Sequence, residues 1–73
     1  MKCTHELRTN MAGLDVIIRR FVCANGYQIM IIWEKLHSYS YIEMQGTKNL
    51  TWNESIEWLD RMYEVYGGDM IET

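Results

Sequence analysis

The sequence contains no proline, has only two cysteines, and lacks an apolar run long enough to span a bilayer. Without proline, no strand-like segment is excluded from a central position in a sheet. Two cysteines are too few for a disulfide framework and are consistent with a reducing compartment. Because a signal-peptide pattern is also missing, we expect a cytoplasmic protein without a membrane segment.

Motifs that support catalysis or metal binding are missing as well. The thiols and imidazoles of the chain are those of Cys3, His5, Cys23 and His37. Their spacing matches no zinc site, and no glycine-rich nucleophile turn accompanies either thiol. A glycine-rich phosphate loop is also absent. We therefore expect no metal, no cofactor and no enzymatic activity.

Apolar side chains, by contrast, are abundant for a chain of 73 residues, which we interpret as one domain. A domain of this size has a thin core, yet the sequence contains six methionines, three tryptophans, five tyrosines and one phenylalanine. Some of these side chains must remain at the surface. This surplus predicts binding to another protein or to a second copy of the chain as a homodimer.

The charge is acidic overall and unevenly distributed. The formal net charge of −3 argues against a general nucleic-acid binder. Residues 1–37 carry five Lys/Arg and three Asp/Glu, a net of +2, whereas residues 38–73 carry two Lys/Arg and seven Asp/Glu, a net of −5. The first half is therefore expected to be mildly basic and the second half acidic.

One amphipathic helix is predicted from Thr51 to Gly68. Thr51 is a favourable N-cap residue, and Glu54 three residues later completes a capping box. Gly67 and Gly68 provide a left-handed C-terminal stop. The signals at both ends agree, so this helix is the best-defined element of the sequence.

The helix presents two different faces. Its predicted apolar stripe consists of Trp52, Ile56, Leu59, Tyr63 and Tyr66. Trp58 widens this side on one flank, together with Met62 and Val65, and we expect either packing at the sheet edge or contact with a partner. The opposite face carries Glu57, Asp60 and Glu64. These carboxylates form either a solvated face or a docking surface for a basic partner.

Three strands are predicted before the helix: Asp15–Cys23, Tyr27–Glu34 and Ser38–Gln45. They are rich in β-branched residues or alternate in polarity. Asn25-Gly26 separates the first two and predicts a type I′ hairpin turn, because both central residues of that turn need positive φ.

The register that follows from this turn sorts the side chains into two faces. Ile18, Arg20 and Val22 are expected beneath the helix, opposite Trp33, Ile31 and Ile29. In the same register, Arg19 lies opposite Ile32. The other face is expected to expose Arg19, Phe21, Met30, Ile32, Tyr39 and Tyr41. This composition suits a protein interface, and the alternative is a surface on which single-stranded RNA or DNA bases stack.

Together these elements predict an α+β fold: a small three-stranded antiparallel sheet in the order β-β-β-α, with one C-terminal amphipathic helix packed on one face. Residues 1–14 are expected to form either a short helical turn or a flexible arm, which a dimer can exchange. Residues 69–73 form an acidic tail, and its Met70 and Ile71 are candidates for folding back onto an edge.

The small size, the acidity and the β-β-β-α order resemble several compact phage-encoded inhibitors of bacterial defence. The resemblance is one of architecture and assigns no role to any residue. It implies an anti-defence or host-takeover inhibitor. The sequence thus predicts a non-enzymatic protein-interaction module that occupies the surface of a target protein. The alternative is a small single-stranded nucleic-acid-binding protein.

Overall fold

A computed structural model of the chain describes the backbone of residues 1–35, 38–42 and 46–73, and the side chains of residues 1–33 and 46–73. These ranges contain five strands and one helix. In chain order the elements are β1 (Lys2–Met11), β2 (Leu14–Cys23), β3 (Gly26–Lys35), β4 (Ser38–Ile42), α1 (Trp52–Tyr66) and β5 (Asp69–Glu72).

The strands form one antiparallel sheet in the order β4-β3-β2-β1-β5. The first four strands follow one another as a meander. Helix α1 then lies across one face of the sheet, against β1, β2 and β3, and β5 pairs with β1. The predicted α+β class, with a C-terminal helix on one face of an antiparallel sheet, is confirmed. The prediction of three strands in the order β-β-β-α is wrong, because residues 2–11 and 69–72 are also strands.

Strand β1 replaces the helical turn or flexible arm expected for residues 1–14. It pairs with β2 on one side and with β5 on the other, within the same chain. Leu7 and Met11 point into the core, whereas Arg8 and Asn10 are exposed on the opposite face. The strand has few strongly apolar residues, so its alternation is hard to detect from the sequence alone. Pairing with β2 on one side and β5 on the other explains why this segment forms a regular strand.

The turns differ from the predicted ones. The type I′ turn lies at Ala12-Gly13, whose φ angles of 52° and 84° match that type. In the second hairpin Cys23 pairs with Gly26, so Asn25-Gly26 is not the central pair. Gly26 is needed there for another reason, since a Cβ atom at this position would lie 2.7 Å from the carbonyl oxygen of Leu50.

The altered turn shifts the predicted register by two residues without exchanging the two faces. Arg19 lies opposite Met30 rather than Ile32, and Arg20 lies opposite Ile29 rather than Ile31. Because side chains alternate with a period of two, a two-residue shift keeps every side chain on its predicted face. The predicted separation between a core face and an open face is therefore confirmed for β2 and β3.

The core lies between the sheet and α1. Its buried apolar members are Leu7, Met11, Val16, Ile18, Ile29, Ile31, Leu50 and Leu59. On the helix only Ser55 and Leu59 are fully buried, whereas Trp52, Tyr63 and Tyr66 remain 56%, 48% and 45% exposed. The predicted apolar stripe is thus partly wrong, because the helix is rotated so that Ser55 faces the sheet.

A buried arginine explains this rotation. Arg20 is only 2% exposed and lies beneath the first turn of α1. Its Nε donates to Ser55 Oγ at 2.7 Å, and its Nη1 donates to Thr4 Oγ1 at 2.8 Å. The guanidinium also lies 4.2 Å from the ring centroid of Tyr27 and 5.6 Å from that of Trp52, within cation–π range. The small hydroxyl side chain of Ser55 therefore faces the sheet where a larger apolar residue was expected.

The ends of the helix agree with the sequence signals. Thr51 Oγ1 accepts from the backbone N–H of Glu54 at 3.1 Å, and Glu54 Oε1 accepts from the backbone N–H of Thr51 at 2.9 Å, so the capping box is confirmed. Gly67 is the C-cap, with φ of 69°. Gly68, with φ of 104°, lies against β1, where a Cβ atom would meet the Arg8 carbonyl oxygen and lie 3.0 Å from Thr9 Cα.

We predict that Gly68→Ala lowers the free energy of unfolding more than Gly67→Ala. Both residues have positive φ, which costs a non-glycine residue about 1 kcal/mol. A Cβ at Gly67 has nothing within 4 Å, whereas a Cβ at Gly68 collides with the β1 backbone. Urea unfolding of the two variants measures the difference, which we expect to be on the order of 1 kcal/mol or more. Equal losses would contradict the close packing of Gly68 on β1.

A second prediction concerns the contact between Arg20 and Ser55. Ser55→Ala removes an acceptor from a buried guanidinium and should lower the free energy of unfolding by about 1–3 kcal/mol. In an Arg20→Met background the same change should cost much less, because no buried donor is left unpaired. A double-mutant cycle in urea measures this coupling. Equal costs in both backgrounds would show that the hydrogen bond does not hold the helix in place.

Candidate functional site

The side of the sheet opposite α1 is the candidate site. In the described ranges no element lies over it, and we call it the open face. Its described residues include Glu6, Arg8, Asn10, Asp15, Ile17, Arg19, Phe21, Gln28, Met30, Ile32, Asp69 and Ile71. These side chains project from four neighbouring strands, so the backbone hydrogen bonds of the sheet support the surface directly.

Four of the six residues predicted for this face are found there together: Arg19, Phe21, Met30 and Ile32. The backbone register also places Tyr41 opposite Ile32 and Tyr39 opposite Glu34. The side chains of Tyr39 and Tyr41 lie outside the described residues, as do residues 43–45 of the predicted third strand.

A charged cluster that the sequence patterns do not predict occupies the β1–β2 part of the open face. Glu6 Oε2 accepts from Arg8 Nε at 2.8 Å, and Glu6 Oε1 accepts from Arg19 Nε at 2.9 Å. Arg8 is two residues from Glu6 on β1, and Arg19 lies directly opposite Glu6 on β2. Glu6 is 9% exposed and is therefore almost fully removed from water. The pairing depends on the register of β1 against β2, which the sequence patterns of residues 1–14 do not predict.

The two arginines hold Glu6 in its ionised form. Hydrogen bonds from Arg8 and Arg19 lower the pKa of the Glu6 carboxyl below its usual value of 4.5, although burial acts in the opposite direction. Since the hydrogen bonds stabilise the charged form, their effect exceeds the desolvation penalty. The cluster thus contains one carboxylate and two guanidinium groups near neutral pH.

Each arginine retains free hydrogen-bonding capacity. The ion pairs with Glu6 use Nε of Arg8 and Nε of Arg19, and the terminal nitrogens of both groups make no further hydrogen bond among the described residues. The side chains of Arg8 and Arg19 are 61% and 37% exposed. Their terminal nitrogens are consequently available to a hydrogen-bond acceptor on another molecule.

Apolar side chains border the cluster on the side of β2 and β3 and at Ile71, whereas Asp15 and Asp69 border it near Arg8. Ile17, Phe21, Met30 and Ile32 are half-buried, and Ile71 of β5 is 41% exposed. Among these five side chains only that of Ile71 is exposed, and several of the more exposed apolar side chains, those of Trp52, Tyr63, Val65 and Tyr66, lie on the helix. This face therefore combines partly exposed apolar side chains with two guanidinium groups, and Arg, Phe and Met are residue types that are enriched in interface cores.

The remaining predicted site residues lie on the helix, on the other side of the sheet. Glu57, Asp60 and Glu64 are exposed, as expected. Trp58 is half-buried and packs against the core. It borders a recess of about 360 Å³, whose described lining residues are Glu54, Glu57, Trp58, Arg61 and Met62. The sequence-predicted residues therefore divide between two separate surfaces.

The described ranges show no group of three or more His, Cys, Asp or Glu side chains arranged to hold a metal ion. Cys3 and Cys23 are free thiols, and His37 lies outside the described residues. Of the helical segments seen in this part of the chain, none is both long and apolar enough to cross a membrane.

Comparison with protein-family models found no match, and searches of curated proteins and of solved structures found no significant similarity. Functional inference therefore depends on the geometry of the two surfaces.

The Glu6 cluster predicts a specific pH dependence of stability. Because the folded-state pKa of Glu6 is lowered, its ion pairs stabilise the fold above pH 4.5, and this contribution is lost as the pH falls through the lower folded-state pKa. Near neutral pH, Glu6→Gln should lower the free energy of unfolding by on the order of 1 kcal/mol. Below the folded-state pKa the difference from wild type should largely vanish.

Urea unfolding at a series of pH values measures this difference. Glu57→Gln is the matched control, since Glu57 is exposed and makes no described ion pair. A Glu6→Gln difference that does not change with pH would contradict the proposed role of the two arginines.

Proposed function

We propose that this protein is a non-enzymatic protein-binding module that acts by occupying the surface of a target protein with its open face. The observation that supports this proposal is the face itself, which no described element covers and on which Phe21, Met30 and Ile32 lie beside the charged cluster of Glu6, Arg8 and Arg19. Binding there blocks whatever the target's surface otherwise contacts. The mechanism is therefore steric and electrostatic competition, and inhibition of the target is its expected consequence.

The composition of the open face favours a protein partner. Aromatic residues, methionine and arginine are enriched in the cores of protein interfaces, and all three types occur here. The face belongs to ten-residue strands in the middle of the sheet, so its backbone needs little rearrangement on binding.

The acidic helix face is a second candidate surface. Glu57, Asp60 and Glu64 are exposed and lie away from the open face. A basic protein is the partner that this face fits. Because solvated carboxylates are also common on helices that contact nothing, the open face supports the proposal more strongly.

Single-stranded nucleic acid is the alternative ligand of the open face. Arg19 and Phe21 do share that face, as base stacking requires. However, Arg19 is paired with Glu6, and Arg20 is buried beneath the helix. The basic half of the sequence thus presents less free positive charge than its composition predicts, which favours protein over nucleic acid.

The proposed resemblance to phage-encoded inhibitors used the order β-β-β-α. The observed order adds β1 and β5, so the architecture no longer supports that comparison. An inhibitory role remains part of the proposal only because occupation of a surface is inhibitory by nature.

We predict that Met30→Glu abolishes partner binding, because it places a charge among the apolar residues of the open face. Val65→Glu is the matched control, since Val65 is an apolar helix residue that is 65% exposed. Each variant is immobilised and exposed to a lysate of the cells that make the protein, with and without nuclease. We expect the wild type and Val65→Glu to capture a protein from the lysate even after nuclease treatment. Met30→Glu should not capture it.

Two other results would contradict the proposal. Recovery of nucleic acid, with proteins lost after nuclease, would favour the alternative ligand. Equal binding of the partner by wild type, Met30→Glu and Val65→Glu would show that the partner binds outside the open face. Light scattering of the same samples measures their mass, and a dimer that Met30→Glu dissociates would identify a second copy of the chain as the partner.

A further inference from the structure

We propose that the outer edge of β5 is a second docking site, at which a basic, extended segment of another protein adds to the sheet as a further strand. The site is formed by Asp69, Met70, Ile71 and Glu72. The edge adjoins the open face, but the site uses the backbone groups of β5 and does not depend on the proposed function.

The backbone of β5 has hydrogen-bonding groups to offer. In the described sheet β5 is an edge strand, and only β1 pairs with it. The N–H of Thr73 donates to the Thr4 carbonyl oxygen at 2.9 Å, and alternate residues of an antiparallel pair exchange hydrogen bonds. In this alternation the N–H and C=O groups of Met70 and Glu72 point away from β1. They are therefore available to the backbone of an added strand.

The side chains of β5 alternate between the two sides of the sheet. Ile71 lies opposite Glu6 on the open face, whereas Met70 lies opposite the core residue Leu7 on the helix side. Met70 and Ile71 are 37% and 41% exposed. Each side of this edge thus offers one apolar side chain on which a residue of the added strand can pack.

The helix supplies a further apolar neighbour. Met62 borders a recess together with Ile31 and Trp33 of β3, so this flank of the helix faces β3. Tyr63 is rotated from Met62 by about 100° around the axis, with the buried Leu59 between them, and therefore lies on the flank towards β1 and β5. Tyr63 is 48% exposed. A segment residue on the helix side of β5 can cover apolar surface of both the strand and the helix.

Both ends of β5 carry a carboxylate. Asp69 and Glu72 are exposed and make no described ion pair, and the residues opposite them on β1 are Arg8 and His5. The Nε of Arg8 is paired with Glu6, so these two charges cancel and the net charge beside β5 is −2. Opposite charges in a cross-strand pair are stabilising, and like charges are destabilising. An added strand is therefore favoured when it places Lys or Arg opposite Asp69 and Glu72.

The order of residues in β5 determines the order in the partner. Two carboxylates enclose Met70 and Ile71, which point to opposite sides of the sheet. A matching segment has two basic residues three positions apart and two apolar residues between them. The basic residues pair with the carboxylates, and the apolar residues cover Met70 and Ile71.

The wider surroundings also favour a basic segment. On β2, Asp15 and Arg19 cancel, Lys2 at the start of β1 adds +1, and Arg20 is buried beneath the helix. The exposed charges of the helix have a net of −3 and belong to Glu54, Glu57, Asp60, Arg61 and Glu64. A second copy of the chain would bring one acidic edge next to another, and the phosphates of a nucleic acid would meet the same charge. These charges therefore select a basic protein segment.

The experiment uses the full chain as bait for three displayed libraries of short linear peptides. Each library has two randomised apolar positions between two fixed positions, which are Lys, Gln or Glu, and the flanking positions are randomised identically. We expect binders from the Lys library. Their affinity should fall with increasing salt, because exposed charges are screened.

A charge-reversed edge tests the pairing directly. Asp69→Lys/Glu72→Lys should weaken binding of the Lys peptides at least about tenfold, and the Glu library should give binders to this variant instead. Glu57→Lys/Glu64→Lys is the matched control, since it changes the net charge equally on the exposed face of the helix. It should weaken the Lys peptides less than about threefold. Circular dichroism checks that both variants are folded.

Strand addition has a signature that needs no variant of the protein. The selected peptides are synthesised with N-methyl groups on one or the other alternating set of residues and are measured against the wild type. Methylation removes N–H donors, so methylation of the set that faces β5 should abolish binding. Methylation of the other set should leave binding within about threefold.

Several outcomes would overturn the proposal. If Gln or Glu peptides bind the wild type as tightly as Lys peptides, the edge does not select basic segments. If both methylated sets bind equally, no strand is added. If no library gives a binder, the edge does not dock such a segment, and the proposed function of the open face is unaffected.

Two further results would assign the peptides or the edge to another partner. If Met30→Glu blocks the peptides and Asp69→Lys/Glu72→Lys does not, the peptides bind the open face, which supports the proposed function and contradicts the edge site. If light scattering shows a dimer that the peptides dissociate, the edge binds a second copy of the chain.

Discussion

The contact between the buried guanidinium of Arg20 and the first turn of α1 determines how the two layers of this protein meet. Arg20 belongs to β2, and its partners are Thr4 of β1 and Ser55 of the helix. A buried charge requires such partners, because an unsatisfied one is far more costly than an apolar residue at the same position. The helix therefore turns Ser55 towards the sheet and leaves Trp52 as a half-exposed cover over the cation.

The same strand makes the two faces of the sheet differ in how they hold positive charge. Arg19 and Arg20 are adjacent, so the alternation of a strand sends one guanidinium to the open face and the other to the core. One is balanced by Glu6 and the other by hydroxyl groups and aromatic rings. Of these two positive charges, that of Arg20 stabilises the core and that of Arg19 lies on the open face. The composition of the sequence alone does not distinguish these two positions.

The sequence was informative where local chemistry determines structure. The capping box of Thr51 and Glu54 and the face of each β2 residue follow from local rules and are observed. Strand β1 and the Glu6 cluster follow instead from pairing between distant segments. The type I′ turn at Ala12-Gly13 has a weaker sequence signal than Asn25-Gly26, where close approach to Leu50 determines the geometry. Contacts between segments that are distant in the sequence therefore determine strand β1, the Glu6 cluster and the turn at Asn25-Gly26, which local patterns do not predict.

The location of the Glu6 cluster has a consequence for binding. Glu6 and Arg8 are on β1, which pairs on both sides, and Arg19 is on β2, which also pairs on both sides. Ion pairs to one nearly buried carboxylate restrict both long arginine side chains before any partner arrives. Less conformational entropy is then lost on binding than for unrestrained surface arginines. The carboxylates of the acidic helix face have no described ion pairs, so preorganisation distinguishes the two surfaces and favours the open face as the binding site.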